Sequence, residues 1–117
     1  MIVDTSIWVD HFRRGEPRLS RELETGGVLM HPFVIGELAC GQLRHRQEIL
    51  DLLDGLPVAA LANHEEALLL VDSEHLYGRG IGWIDVHLLA SAHLSGVPIW
   101  TRDRRLKDAA TSLGVSL

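Results

Sequence analysis

Apolar positions along the 117-residue chain follow two rhythms. Short, mainly apolar runs lie at residues 2–4, 28–30, 57–61 and 97–100, and each reads as a buried strand. Between them, apolar residues recur at helical spacing. Ile7, Trp8 and Phe12 mark a helix over residues 5–13, broken at Gly15 and Pro17. Pro17 opens a second helix through Leu19 and Leu23, which Gly26-Gly27 ends. Pro32 starts a third, carrying Phe33, Val34, Ile35, Leu38 and Ala39 with Glu37 embedded among them. A fourth runs over 46–53 to Gly55. Asn63 reads as an N-cap, with Glu65 and Glu66 in the first turn where the helix dipole favours acids. Asp85 opens a strongly apolar helix over 86–94, stopped by Gly96. The last helix begins near Asp103 and ends at Gly114, leaving 115–117 as an edge strand.

Strands alternating with helices predict an α/β fold, a parallel sheet with helices on both faces. No internal repeat, low-complexity tract or linker interrupts the pattern, so residues 1–117 read as a single domain. In open parallel sheets ligands bind beyond the carboxyl ends of the strands, where strand order reverses. Asp4 follows the first strand and Asp103 the fourth. If those strands are neighbours, both acids enter one crevice.

Composition narrows the class. With 46% hydrophobic and 23% charged residues the chain is of the globular type. No apolar run approaches the roughly 20 residues of a membrane span. The N-terminus lacks the basic-then-apolar signature of a signal peptide, and the lone Cys40 can form no disulfide within the chain. Both point to the reducing cytoplasm. A net charge of −5 excludes the global basicity of a protein that coats nucleic acid, so any such contact needs a local patch. Ten of the eleven basic residues are Arg, Lys107 being the exception. Arg suits bidentate phosphate contacts.

Four acids in apolar settings carry the candidate chemistry: Asp4, Glu37, Asp85 and Asp103. Singly, the three aspartates read equally well as helix N-caps. Glu37 does not, since it lies inside a helix beside Val34, Ile35 and Leu38. Jointly, three acids at helix starts and one on a helix flank can converge on one crevice. Two unit charges about 4 Å apart repel by roughly 4 kcal/mol at an effective dielectric near 20. A cluster of four therefore calls for protonation or a cation. Mg²⁺ and Mn²⁺ are hard ions that take carboxylate oxygens and keep several waters.

Other designs lack their residues. The seven histidines form no HExxH pair and read as surface or helix-face residues. Cys40 lacks a His-Asn or His-Asp constellation and reads as a small buried side chain. Ser6 has no G-x-S-x-G setting. With Thr5 it reads as a hydrogen-bond donor to a metal ligand or as a cap. Neither phosphate-binding glycine motif is present. Arg102, Arg104, Arg105 and Lys107 flank Asp103, while Arg13 and Arg14 end the first helix. These are either phosphate contacts or a solvated face. Trp8, Phe12 and Trp83 read as core or as a partner surface.

Four segments together resemble the PIN-domain proteins, in particular the VapC toxins of bacterial toxin–antitoxin pairs. They are Ile-Val-Asp-Thr-Ser-Ile-Trp from Ile2, Val-Ile-Gly-Glu-Leu-Ala-Cys-Gly from Val34, Ile-Asp-Val-His-Leu-Leu-Ala-Ser-Ala from Ile84, and Ile-Trp-Thr-Arg-Asp-Arg-Arg-Leu from Ile99. The resemblance implies a three-layer α/β/α sandwich with a central, mostly parallel sheet. It implies an Mg²⁺- or Mn²⁺-dependent endoribonuclease leaving 5′-phosphate and 3′-hydroxyl ends. The family's four acids fall on Asp4, Glu37, Asp85 and Asp103, and its hydroxyl residues on Thr5 or Ser6 and on Thr101. On this reading Arg13, Arg14, Arg102, Arg104 and Arg105 hold RNA. A homodimer and a cognate antitoxin that blocks the cleft are also implied. Gly36 departs from the family pattern, which favours a larger or hydroxylated residue before the Glu.

Two other functions fit the same pattern. One is a PIN-like module that binds a metal or a partner without cleavage. The other is a receiver-like phosphoacceptor domain, which needs paired acids after the first strand and a late Lys beside the pocket. Lys107 is the one candidate, and it falls inside the last helical pattern.

Overall fold

The computed structural model describes residues 1–117. Strand β1 (Ile2–Val3) pairs in parallel with β2 (Ile99–Trp100), placing Ile2 opposite Ile99 and Val3 opposite Trp100. The other expected strands join this pair through single parallel bridges: Ile2 with Leu29, Met30 with Val58, and Ile99 with Ser116. Main-chain bonds extend the contact. The Leu29 N–H donates to the Met1 carbonyl (2.8 Å), Met30 to Pro57 (2.7 Å), Ala59 to Met30 (2.9 Å) and Ile99 to Val115 (2.8 Å). The lateral order is therefore 57–59, 28–30, β1, β2, 115–117. Regular pairing is shorter than the apolar runs because Pro57 and Pro98 have no N–H to donate.

Seven helices follow the sequence pattern closely: α1 (Thr5–Arg14), α2 (Pro17–Glu24), α3 (Pro32–Cys40), α4 (Arg46–Asp54), α5 (His64–Ser73), α6 (Trp83–Ser95) and α7 (Arg104–Ser112). Asp4 caps α1, accepting from the Thr5 N–H, and Asp103 caps α7, accepting from the Leu106 N–H. Asn63 and Glu66 form a reciprocal capping box on α5. Helix α6 starts earlier than its apolar run suggests. Gly82 is its N-cap and Asp85 lies inside the first turn, where its side chain accepts from the Gly82 N–H at 3.2 Å. Asp85 thus folds back over the helix start instead of opening the helix.

Residues 86–92 of α6 are buried throughout, so this helix runs through the interior. It packs against β2 and α5, while α3 packs against α1 and α4. The core joins Ile2, Val3 and Ile99 of the sheet to Trp8, Val34, Leu38, Leu88, Leu89, Leu106 and Ala109. Each large apolar side chain in it contributes about 1.5–3 kcal/mol by leaving water. Trp8 is core, whereas Trp83 keeps 38% of its surface exposed. Cys40 is exposed at the end of α3, correcting the expectation of a buried thiol, because the helix turns that position away from Val34 and Leu38. No helix is long and apolar enough to cross a membrane.

Candidate metal centre

The order reversal at β1 fixes the place of the site. Chain segments leave the carboxyl ends of three adjacent strands into α1, α3 and α7. The Asp4 N–H donates to the Trp100 carbonyl at 2.9 Å, which locks the exit of β1 against that of β2.

Asp4 is buried, with 7% of its surface exposed, and its carboxylate accepts three hydrogen bonds, one on Oδ1 and two on Oδ2. Oδ1 accepts from the Thr5 N–H at 2.8 Å. Oδ2 accepts from the Ser6 hydroxyl at 2.9 Å and from the buried Thr101 hydroxyl at 2.7 Å. Both hydroxyls are held in turn. Thr101 Oγ1 accepts from the Asp103 N–H at 3.0 Å, and Ser6 Oγ accepts from the Arg102 N–H at 3.2 Å. A closed network therefore runs between the start of α1 and the loop before α7. It fixes the Asp4 rotamer and spaces Asp103 from it.

Glu37 is exposed on α3 and accepts from the Thr5 hydroxyl at 3.0 Å, which ties a third element to the site. Asp85 is half-buried. Burial raises its pKa, the Gly82 N–H opposes that shift, and the charges of Asp4, Asp103 and Glu37 raise it further. All four predicted acids therefore share one electrostatic neighbourhood.

The donor set suits a hard cation. Oxygens of Glu37, Asp85 and Asp103 that accept no hydrogen bond within the protein remain available: Oε2, Oδ1 and Oδ2 respectively. As placed, no three His, Cys, Asp or Glu side chains are grouped closely enough to enclose an ion. Mg²⁺ needs no such cage, since it keeps several waters and takes one or two carboxylates directly. The residues present fit a hydrated divalent ion and do not fit tetrahedral zinc.

The arginines divide. Arg102 pairs with Asp10 and Glu16, so its charge is neutralised within the chain. Arg105 lies across Gly80, where an added Cβ would stand 2.7 Å from its Nη1. Gly80 also has φ +76°, so both the space and the backbone there suit glycine. Arg13, Arg14 and Arg104 are exposed, with Arg14 within 3.4 Å of Asp10. Arg13 stands nine residues beyond Asp4, about 14 Å along the helix axis.

The chain matches the PIN domain family over residues 1–111. The chain belongs to the PIN-domain family. Ribonuclease VapC32 of Mycobacterium tuberculosis, from strains CDC 1551/Oshkosh and ATCC 25618/H37Rv, is 43% identical over 118 residues, covering 100% of this chain and 95% of that protein. The family is thus VapC-like, and the fold is the three-layer α/β/α arrangement with a parallel sheet.

Two histidines of this PIN domain are buried: His31, which precedes α3 instead of lying on a surface or helix face, and His87, on an inward face of α6. His31, 3% exposed, caps α3 through Nδ1, which accepts from the Phe33 N–H at 3.0 Å. Its Nε2 is buried without a partner. Burial, with His87 nearby, lowers its pKa to about 4. His87, 6% exposed, has its pKa lowered by burial and by His64. The signals were local. His31 directly precedes the Pro that opens a helix, and His87 sits inside the apolar run of α6, four residues after Trp83.

Proposed function

We propose that this PIN domain, taken as one domain over residues 1–117, is a divalent-metal-dependent endoribonuclease, the toxin of a toxin–antitoxin pair. The observation that carries the reading is the convergence of Asp4, Glu37, Asp85 and Asp103 at the reversal of strand order, with hydroxyls of Thr5, Ser6 and Thr101 bonded among them. Full-length likeness to relatives named as ribonucleases supports it.

A bound Mg²⁺ or Mn²⁺ supplies an acidified water and charge neutralisation at the phosphate. Asp103, Asp85 and Glu37 offer the free oxygens that would hold it. Asp4 would hold it beside Asp103 through the lone pair that Oδ1 keeps, while Ser6 and Thr101 fix Oδ2. Glu37 or Asp85, acting through a bound water, would help deprotonate the nucleophile. Thr101 and Ser6 orient Asp4, and Thr5 orients Glu37. Arg13, Arg14 and Arg104 hold phosphates on either side, leaving sequence choice to other contacts. A cognate antitoxin, a homodimer and a cytoplasmic location complete the proposal.

Metal-stripped protein is incubated with a mixed pool of structured RNA, with and without Mg²⁺ or Mn²⁺, beside Asp4→Asn. Metal-dependent cleavage that disappears in the variant supports the reading. Cleavage that is equal in both overturns the site. Phosphorylation by a small phosphodonor would instead favour the receiver-like alternative.

A further inference from the structure

A cluster of rings joins α3 to the start of α6, and the chemistry above does not use it. Trp83 is the first residue of α6 and shares its first turn with Asp85. Phe33 lies on α3 one helical turn before Glu37, on the same face of that helix. Both aromatics are 38% exposed. The buried His87 ring braces both, meeting Trp83 at 4.8 Å and 85°, and Phe33 at 4.9 Å and 68°. His31 backs Phe33 at 4.9 Å, and His64 tilts against Trp83 at 5.2 Å.

The cluster is not explained by packing alone. Core rings such as Trp8 are buried, whereas these two keep more than a third of their surface in water while imidazoles fix their backs. Large side chains already held rigidly lose little freedom on binding, which is how aromatic anchors gain affinity. Phe33 shares its helix face with Glu37, and His87 joins Phe33 to Trp83, so a chain whose phosphate lies at Glu37 carries a neighbouring base toward these rings. Every base has a π-face, and stacking on aromatics is the common mode for single-stranded nucleic acid.

We propose that Phe33 and Trp83, braced by His87, form a stacking subsite for an unpaired base adjoining the phosphate held at the four acids. The inference rests on the nuclease reading for its orientation. On that reading the base of an unpaired RNA segment is taken by its face. Such a subsite tolerates different bases and rejects a duplex, whose bases are already stacked.

Short single-stranded RNA carrying one 2-aminopurine is titrated with the protein in Ca²⁺, scanning the probe along the oligonucleotide. The same titration uses an abasic residue at the responsive position, and the variants Phe33→Leu, Trp83→Leu and Trp83→Phe. The wild type quenches the probe at one position. The abasic RNA and both Leu variants bind about tenfold more weakly, equivalent to about 1.4 kcal/mol, and Trp83→Phe restores most of the affinity. Equal affinity for intact and abasic RNA, or unchanged quenching in both Leu variants, overturns the subsite. The abasic comparison uses wild-type protein, so misfolding of a variant cannot mask the result. Cleavage without base-dependent binding sinks the subsite alone, whereas base-dependent binding without cleavage sinks the nuclease reading alone.

Discussion

Thr101→Val tests whether the hydroxyl network builds the site. Valine keeps the shape of threonine and removes only the hydroxyl. In the wild type that hydroxyl donates to Asp4 Oδ2 at 2.7 Å and accepts from the Asp103 N–H at 3.0 Å, with the residue 8% exposed. A hydrogen bond to a charged group is worth about 1.5–3 kcal/mol, and the half-buried Asp103 N–H left without its partner adds about 1 kcal/mol. The added methyl returns about 0.8 kcal/mol through apolar burial. Ser6 still donates to Asp4, which places the loss near its lower end, about 2 kcal/mol. For a chain of this size that is about 10 °C in Tm. Urea unfolding of wild type, Thr101→Val and Thr101→Ser measures it, with serine expected to recover most of the loss. Thr101→Val as stable as wild type would refute the reasoning, because the hydroxyl would then be exchanging freely with water.

Two further outcomes follow from the same geometry. His31 is neutral in the fold with its pKa lowered to about 4, against an unperturbed value near 6.5. Stability from this group is complete above the unfolded value and is lost as pH falls toward the folded one. The wild type should therefore lose up to about 3 kcal/mol between pH 6.5 and 4, at about 1.4 kcal/mol per unit. His31→Asn keeps a capping acceptor and should flatten that slope in urea midpoints measured across the range. Arg13→Ala with Arg104→Ala should weaken RNA binding at every sequence and reduce the slope of log K against log salt by about 1.4, from about 0.7 per phosphate on single strands. Unchanged slopes in a salt titration would place the phosphate track elsewhere.

Most of the fold was legible in the chain because punctuation and periodicity agreed. Pro17 and Pro32 open helices where expected, and Gly15 and Gly96 follow helix ends. The adjacency of the first and fourth strands depended on pairing that no local pattern encodes, and the structure supplies it. Strand lengths were overestimated, since apolar runs report burial and not the donors that prolines remove. The four acids were readable as residues at helix starts and on a helix flank. The hydroxyls beside them were named too, but which acid each would hold was not: the bonds from Thr101 to Asp4 and from Thr5 to Glu37 span 97 and 32 residues. The ion pairs of Arg102 with Asp10 and Glu16 were not legible, because those partners lie far from it in sequence. His31 was misread as a surface or helix-face group because a polar letter hides a ring that packs as an aromatic.

The central claim is that four carboxylates form one divalent-cation site. Titrating ¹⁵N-labelled, metal-stripped protein with Mn²⁺ tests it directly, because the ion broadens amide resonances near it. The account predicts selective broadening at residues 4–6, 37, 83–85 and 101–104 at sub-stoichiometric metal, reversed by excess Mg²⁺ and lost in Asp4→Asn. Broadening centred elsewhere, or identical in Asp4→Asn, would contradict the account.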